Sequence, residues 1–458
     1  MFLKLILFWR GIMHTAFELP DWVIKNGAIY QINPRTFSKK GTIKAITEEL
    51  NFLSSLGFGT VYLCPVYAQD DSMDNWSKRQ TASKTGNPKN QYRIYDYYHL
   101  DPEYGSLDDL KELTDECHKL GLKVMLDLVY RHVGPSSLPV KEHPEFVKQN
   151  EDGSFVLNNY NFPEFDFNSD GLREYLYANM MYYVSVIGID GFRCDSTDPT
   201  PDSFWEEGRR RIRTIKPDAI LINEGTRFEN LGVCFDVKYC FHWHMAIYDI
   251  LQGLADASFL RENWEWYFSR TPKNGVMLRS MDDHDTVTDW EERIEVIAGH
   301  NGMELILVLT YLIDGVPMVY CGNELADTKR LNMFANRFHM GEFEVTDRDD
   351  KASEASVRRQ QIIKKLNTLR KESATLALGE TKWIETEKQE SVVAFKRVLN
   401  REVYYVLGNL SRNKAEFVLP DVSGEVVMAS KAERNGDRFA FEPFGYMVLK
   451  GEKNNAEH

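Results

Sequence analysis

The sequence predicts an α/β chain built on a (β/α)8 TIM barrel, with a small insertion after strand 3 and a C-terminal antiparallel β-sandwich domain. Three observations predict it. Up to about residue 377, eight short apolar runs alternate with amphipathic, helix-like stretches. One connection, residues 133–169, is long, polar and rich in Pro, Asn and Asp. After about residue 378 the pattern becomes short alternating runs separated by turn residues.

The strand candidates, in order, are AIYQINP (28–34), TVYLCPV (60–66), KVMLDLV (123–129), IDGFRCD (189–195), AILINEG (219–225), VCFDVKY (233–239), VMLRSMDD (276–283) and VPMVYCG (316–322). Helix-like segments between them include IKAITEELNFLSSLG, LDDLKELTDECHKLG and DSFWEEGRRRIRTI. Gly57 and Gly121 stop the first two, because glycine takes the left-handed conformation that ends a helix. A doubly wound open sheet is the alternative, but no Gly-rich nucleotide loop follows any run. The expected division is an N-terminal extension (1–20), a barrel (21–132 and 170–377), an inserted unit (133–169), a C-terminal domain (378–451) and a tail (452–458) that frays. SVVAFKRVL, EVYYVLGNLS, KAEFVLP, GEVVMAS and FGYMVLKG are the strands expected of the C-terminal domain.

Composition narrows the function. The chain has 458 residues, 43% hydrophobic and 27% charged, enough for a sizeable core. Its 55 basic and 69 acidic residues leave a net charge of −14 and no basic stripe, so nucleic acid is a poor partner. The six cysteines form no Cys-x-x-Cys pair; zinc and redox motifs are absent, and buried reduced thiols are expected. The N-terminal MFLKLILFWRGIMHTAF resembles a signal peptide, yet Lys4 interrupts its apolar run and no small-x-small cleavage site follows. Met13 reads as the true start and the cytoplasm as the compartment; a real signal peptide there would instead mean secretion. No run reaches the ~18 apolar residues of a membrane span.

Chemistry in such a barrel sits at the C-terminal ends of the strands. There the sequence places Asp127 and His132 (third strand), Arg193 and Asp195 (fourth), Glu224 (fifth), His284 and Asp285 (seventh), and Asn323 and Glu324 (eighth). Carboxylates converging on one mouth repel one another, which marks a working site. Arg193 and Asp195 lie two apart on a strand and share a face, with Cys194 on the other. The arginine is expected to lower the Asp195 pKa and keep it ionised, as a nucleophile requires. Glu224 follows the apolar AILIN, so desolvation raises its pKa and suits a general acid. Two carboxylates tuned in opposite directions are what glycosidic bond cleavage through a covalent intermediate needs.

The ordered set DLVYRH (127–132), GFRCD (191–195), INEG (222–225) and MDDHD (281–285) resembles the four signature regions of the alpha-amylase superfamily, glycoside hydrolase family 13. QYRIYDYYHLDPEYGS (91–106), FPEFDFN (162–168) and VPMVYCGNE resemble further family stretches, so the likeness spans about residues 21 to 450. By position, the resemblance implies Asp195 as nucleophile, Glu224 as acid/base and Asp285 as the carboxylate that grips sugar hydroxyls. It implies that Arg193 orients the nucleophile, His132 and His284 hydrogen-bond the reacting sugar, Tyr92 stacks on it, and Asp127 organises Arg193. The implied substrate is an α-glucan oligosaccharide or disaccharide, with no redox cofactor or nucleotide.

Three positions depart from the family pattern. Arg131 stands where many members carry an asparagine calcium ligand, Pro199 where many alpha-amylases carry a histidine, and Gln91-Tyr92-Arg93 replaces Gly-Tyr-Asp. A guanidinium cannot ligate calcium, so the usual calcium site is predicted absent and the site metal-free. Two rival readings remain: a non-catalytic carbohydrate-binding or scaffold barrel, and a disaccharide isomerase or phosphorylase of the same family. His242 and His244 lack company at metal spacing. Trp205, Trp243, Trp264 and Trp266 are candidate sugar platforms that read more readily as helix-face packing.

Overall fold

Each of the eight apolar runs supplies one strand of a closed barrel. The computed structural model describes residues 19–273, 275–290, 292–335 and 344–452; most of the expected N-terminal extension and nearly all of the tail lie outside them. Among the described residues ten strands precede the C-terminal region: β1 (Ile29–Ile32), β2 (Thr60–Leu63), β3 (Tyr67–Gln69), β4 (Ile94–Leu100), β5 (Lys123–Leu128), β6 (Gly191–Cys194), β7 (Ile220–Asn223), β8 (Val237–Tyr239), β9 (Val276–Ser280) and β10 (Val316–Tyr320). All but β3 and β4 run parallel in sequence order around the barrel, and β1 closes it against β10 with Ile29 opposite Met318. Alternate residues point to opposite faces. Ile29, Tyr62, Met125, Ile222, Val237, Leu278 and Met318 fill the interior. Their neighbours Tyr30, Val61, Val124, Leu221 and Val319 pack outward against the helical ring. Burial on both faces is why these strands read as continuous apolar runs.

The three anticipated helices are present at Ile43–Ser55, Leu107–Lys119 and Asp202–Ile215. Gly57 and Gly121 follow the first two with φ of +84° and +74°. Thr42 and Ser106 cap their N-termini, Ser106 through a full capping box with Asp109.

Two excursions rise over the C-terminal ends of the strands. One is the anticipated insertion between β5 and the helix Asp170–Tyr182, held by isolated bridges such as His132 with Glu164 and Val147 with Phe165. The other was not read from the sequence. Between β2 and the helix Leu107–Lys119 the chain forms an antiparallel pair, β3 with β4, and a short helix Lys78–Ala82.

The C-terminal region is antiparallel, as expected, and its strands belong to one curled sheet: β11 (Glu380–Trp383), β12 (Val392–Leu399), β13 (Glu402–Asn409), β14 (Ala415–Val418), β15 (Glu425–Asn435) and β16 (Arg438–Glu452). The 15-residue β16 pairs with β13 at one end and β14 at the other, and β15 follows it through two register shifts. Strand alternation splits this region between two cores. Val392, Ala394, Val403, Tyr405 and Leu449 line the inside of the curl, whereas Val393, Phe395, Tyr404, Val406 and Val448 join the core of the barrel's helical layer.

Phe395 is fully buried in that shared core. Phe395→Ala is expected to destabilise the protein by about 3–5 kcal/mol, measured by denaturant unfolding. A loss below about 1 kcal/mol would show that sheet and barrel do not share a core.

Candidate active site

Strand register brings the central charges together. Asp127 at the end of β5 lies opposite Arg193 on β6. The ladder continues past the strand ends: the Asp195 N–H donates to the Leu128 carbonyl at 2.9 Å and the Glu224 N–H to the Cys194 carbonyl at 3.1 Å. The fully buried Arg193 guanidinium donates to Asp127 Oδ1 at 2.7 Å and Asp195 Oδ1 at 2.9 Å, and pairs with Glu224 Oε1 at 2.5 Å. The hydroxyls of Tyr62 and Tyr92 donate to Asp127 Oδ2 at 2.7 and 3.0 Å. Glu224 Oε2 accepts the Ser196 backbone N–H at 2.7 Å. Tyr92 stacks on His284, and its hydroxyl lies 2.6 Å from His284 Nε2; Gln31 holds Nδ1 at 3.0 Å.

One pocket is lined by Tyr92, His132, Asp195, Glu224, His284 and Asp285 together. Asp127 and Arg193 lie beneath it, fully buried. Asn323 and Glu324 do not line it: Asn323 donates to Asp282, and Glu324 pairs with Arg348. Sequence reasoning missed several walls of this pocket. Ser77, Arg79 and Asn90 come from the β3–β4 excursion, Tyr160 and Phe162 from the insertion, and Met333 and Phe334 from the segment after β10. Arg79 pairs with Asp285 at 2.8 Å and Asp289 at 2.9 Å.

The electrostatics separate the carboxyl groups. Burial pushes Glu224 well above its usual range against the pull of Arg193, and the charges of Asp195 and Asp285 add to the rise. Asp195 differs from expectation. Arg193 does favour its charged form, but burial and the Asp127 charge win, and its pKa rises to about 6 instead of falling. Asp285 is half-buried, and His284, Arg79 and Arg193 outweigh its desolvation and hold it below the usual carboxylate range. Burial and the Arg131 charge lower His132 to about 3, so it is neutral at pH 7. Its Nε2 faces the Tyr92 carbonyl at 2.9 Å, which fixes the proton there and leaves the buried Nδ1 as an acceptor with no protein partner.

The family model described as alpha amylase, catalytic domain, matches residues 25–159. A cyclomaltodextrinase of a Bacillus species is 25% identical over 89% of this chain and 76% of its own length. A maltogenic alpha-amylase of Bacillus acidopullulyticus is 24% identical over 88% and 72%. Over residues 25–159 the chain is similar to the alpha-amylase catalytic domain, and over most of its length to glycoside hydrolases of that family. The crystal structure of a noncanonic maltogenic alpha-amylase from Thermotoga neapolitana shares the fold, with a TM-score of 0.79 at 20% identity over 94% of this chain and all of that one.

At the position where the family resemblance implies a calcium ligand, the residues do not fit the ion. Arg131 holds Glu164 Oε1 through Nη2 at 3.1 Å, and Lys148 holds Glu164 Oε2 at 3.1 Å. A divalent cation there would meet two fixed positive charges. Among the described residues, ligating atoms of Asp283, His284 and Asp285 do cluster. Both ring nitrogens of His284 and the Asp285 carboxylate already have protein partners. The candidate platforms Trp205, Trp243 and Trp264 are buried packing residues; Trp266 is part-exposed, with Arg270 stacked 4.1 Å over its ring. His242 packs against Trp266 and Tyr267, and His244 is buried beside Ser280.

Two predictions follow from these charges. Arg193→Met removes the cation that holds Asp195 and Glu224 down, so their folded pKa values, already above the unfolded ones, rise further. The native state then binds more protons than the unfolded state, and stability falls as pH rises. The variant's melting temperature should therefore climb between pH 8 and pH 5 relative to wild type; a parallel shift at all pH values would refute the account. Chelator treatment should leave the wild-type melting temperature unchanged, whereas a drop of several degrees would reveal a structural metal.

Proposed function

We propose that the protein is a retaining hydrolase of α-glucosidic bonds in neutral malto-type oligosaccharides. The observation that carries this reading is the pair Asp195 and Glu224: adjacent strand ends, one shared buried arginine, and Glu224 the more strongly raised of the two. At neutral pH Asp195 is mainly ionised, and Glu224, raised well above the usual carboxyl range, holds its proton the more strongly of the two. Glu224 gives its proton to the glycosidic oxygen while an Asp195 oxygen attacks the anomeric carbon, and the bond to the leaving sugar breaks. A water then attacks the glycosyl–Asp195 ester, yields its proton to Glu224 and frees Asp195. Arg193 keeps Asp195 oriented, and Asp285 holds ring hydroxyls once they displace Arg79. His132 lines the pocket as a neutral imidazole, and Tyr92 supplies an aromatic face for the ring.

The names of the relatives, a cyclomaltodextrinase and a maltogenic alpha-amylase, support α-glucans as the substrate class. Charge supports a neutral sugar. Arg193 beneath the pocket is matched by Asp127, Asp195 and Glu224, and Arg79 on its wall by Asp285 and Asp289, so among the described residues neither arginine is left for a phosphate. This favours water or sugar over phosphate as acceptor, hence hydrolysis over phosphorolysis. Six buried free cysteines accord with a reducing compartment, which we assign to the cytoplasm. Among the described residues no helix is long and apolar enough to cross a membrane.

Proton NMR of maltotriose digestion should detect the α-anomer first. Asp195→Asn and Glu224→Gln should each lower kcat by roughly 100-fold or more. β-Anomer product, or variants as active as wild type, would defeat the reading. For wild type, kcat/KM should fall below about pH 6 as Asp195 takes up a proton; a flat profile from pH 7 to 4.5 would contradict the assigned nucleophile.

A further inference from the structure

The residue that follows the proposed nucleophile has an unusual backbone. Ser196 has φ of +45°, in the left-handed region that non-glycine residues rarely enter. That conformation points its N–H at Glu224 Oε2, 2.7 Å away. On either side the chain is fixed, by the Asp195 N–H on the Leu128 carbonyl and the Thr197 N–H on the Glu224 carbonyl. The Ser196 side chain is held as well: its Oγ accepts from Arg131 Nη1 at 3.0 Å. Arg131 is in turn fixed by Glu164 at Nε (3.3 Å) and Nη2 (3.1 Å), and its guanidinium lies 5.5 Å over the ring of Tyr160, which lines the pocket. Lys148 completes the chain of contacts on the far side of Glu164.

We propose that Arg131 and Ser196 are positioning residues for Glu224, so that the inserted segment sets the orientation of the acid/base through Glu164, Arg131 and the Ser196 N–H. The inference rests on the reading of Glu224 as acid/base. Two contacts fix its carboxyl: the ion pair of Arg193 with Oε1 and the Ser196 N–H donating to Oε2. Arg193 is itself fixed by Asp127 and Asp195. The Ser196 donor depends on a backbone conformation that serine would otherwise leave, and the bond from Arg131 to Oγ holds it there. A misplaced carboxyl cannot deliver its proton along the line to the leaving oxygen. The guanidinium also ties insertion to barrel at the position where a calcium ligand was implied, so one side chain replaces a metal and reaches the acid/base.

A leaving group's need for a proton distinguishes this role from a general structural one. Sugar leaving groups require the acid; 4-nitrophenolate needs it far less. In Arg131→Met and Ser196→Ala, kcat/KM for maltotriose should fall roughly tenfold to a hundredfold while kcat/KM for 4-nitrophenyl α-maltoside falls by less than about threefold. Arg131→Lys, which keeps the charge but lacks the fork that reaches Ser196 and Glu164 together, should lie between. Ser196→Ala removes one oxygen only and serves if Arg131→Met does not fold. Equal losses on both substrates, or an unchanged ratio, would overturn the proposal. A wild type that releases neither glucose nor nitrophenol defeats the glycosidase reading itself, a result distinct from an unchanged ratio.

Discussion

The buried Arg193 guanidinium is the constraint on which the site depends. It sits inside a barrel whose lower interior is filled by Ile29, Met125, Ile222 and Met318, a medium that solvates charge poorly. A lone charge there would cost several kcal/mol. Three carboxylates from three consecutive barrel strands compensate it, and two tyrosine hydroxyls then satisfy the outer oxygen of Asp127. The arrangement works only with the register seen here. Slipping β6 by one residue against β5 would send Arg193 into the helical layer and put Cys194 in its place.

The barrel was legible because parallel strands covered on both faces leave unbroken apolar runs, and polar residues at their ends stand out against them. Asp127, Arg193, Asp195, Glu224 and His284 could be picked out for that reason. The β3–β4 pair was not legible. β3 has three residues, and β4, IYDYYHL, mixes polar and aromatic positions across irregular pairings that break any period. Arg79 left no local signal either, since its partners lie more than 200 residues away in sequence. Short runs at the C-terminus read as separate sandwich strands. Residues such as Lys431 and Phe444, with φ of +51° and +59°, instead let β15 and β16 bend and continue.

The Asp195 pKa went the other way from the sequence argument for a related reason. Spacing reveals that Arg193 is a neighbour; it does not reveal that the same guanidinium is shared with Asp127 and Glu224, or that Asp127, Arg193 and Asp195 are buried. A cation divided among three anions stabilises each less than a private partner would, and burial then decides the sign.

The upward shift does not conflict with the proposed role, because what a two-carboxyl mechanism needs is separation between the groups. At a pKa of about 6, Asp195 is roughly nine-tenths ionised at pH 7. Glu224 is raised further, because burial is reinforced by the charges of Asp195 and Asp285. The ionised nucleophile thus helps keep its partner protonated. When Asp195 forms an ester its charge disappears, one of the groups raising Glu224 is lost, and Glu224 becomes easier to ionise. That is the state in which it must hold no proton and activate water. The pair therefore changes its own proton affinities in the direction that each half of the reaction requires.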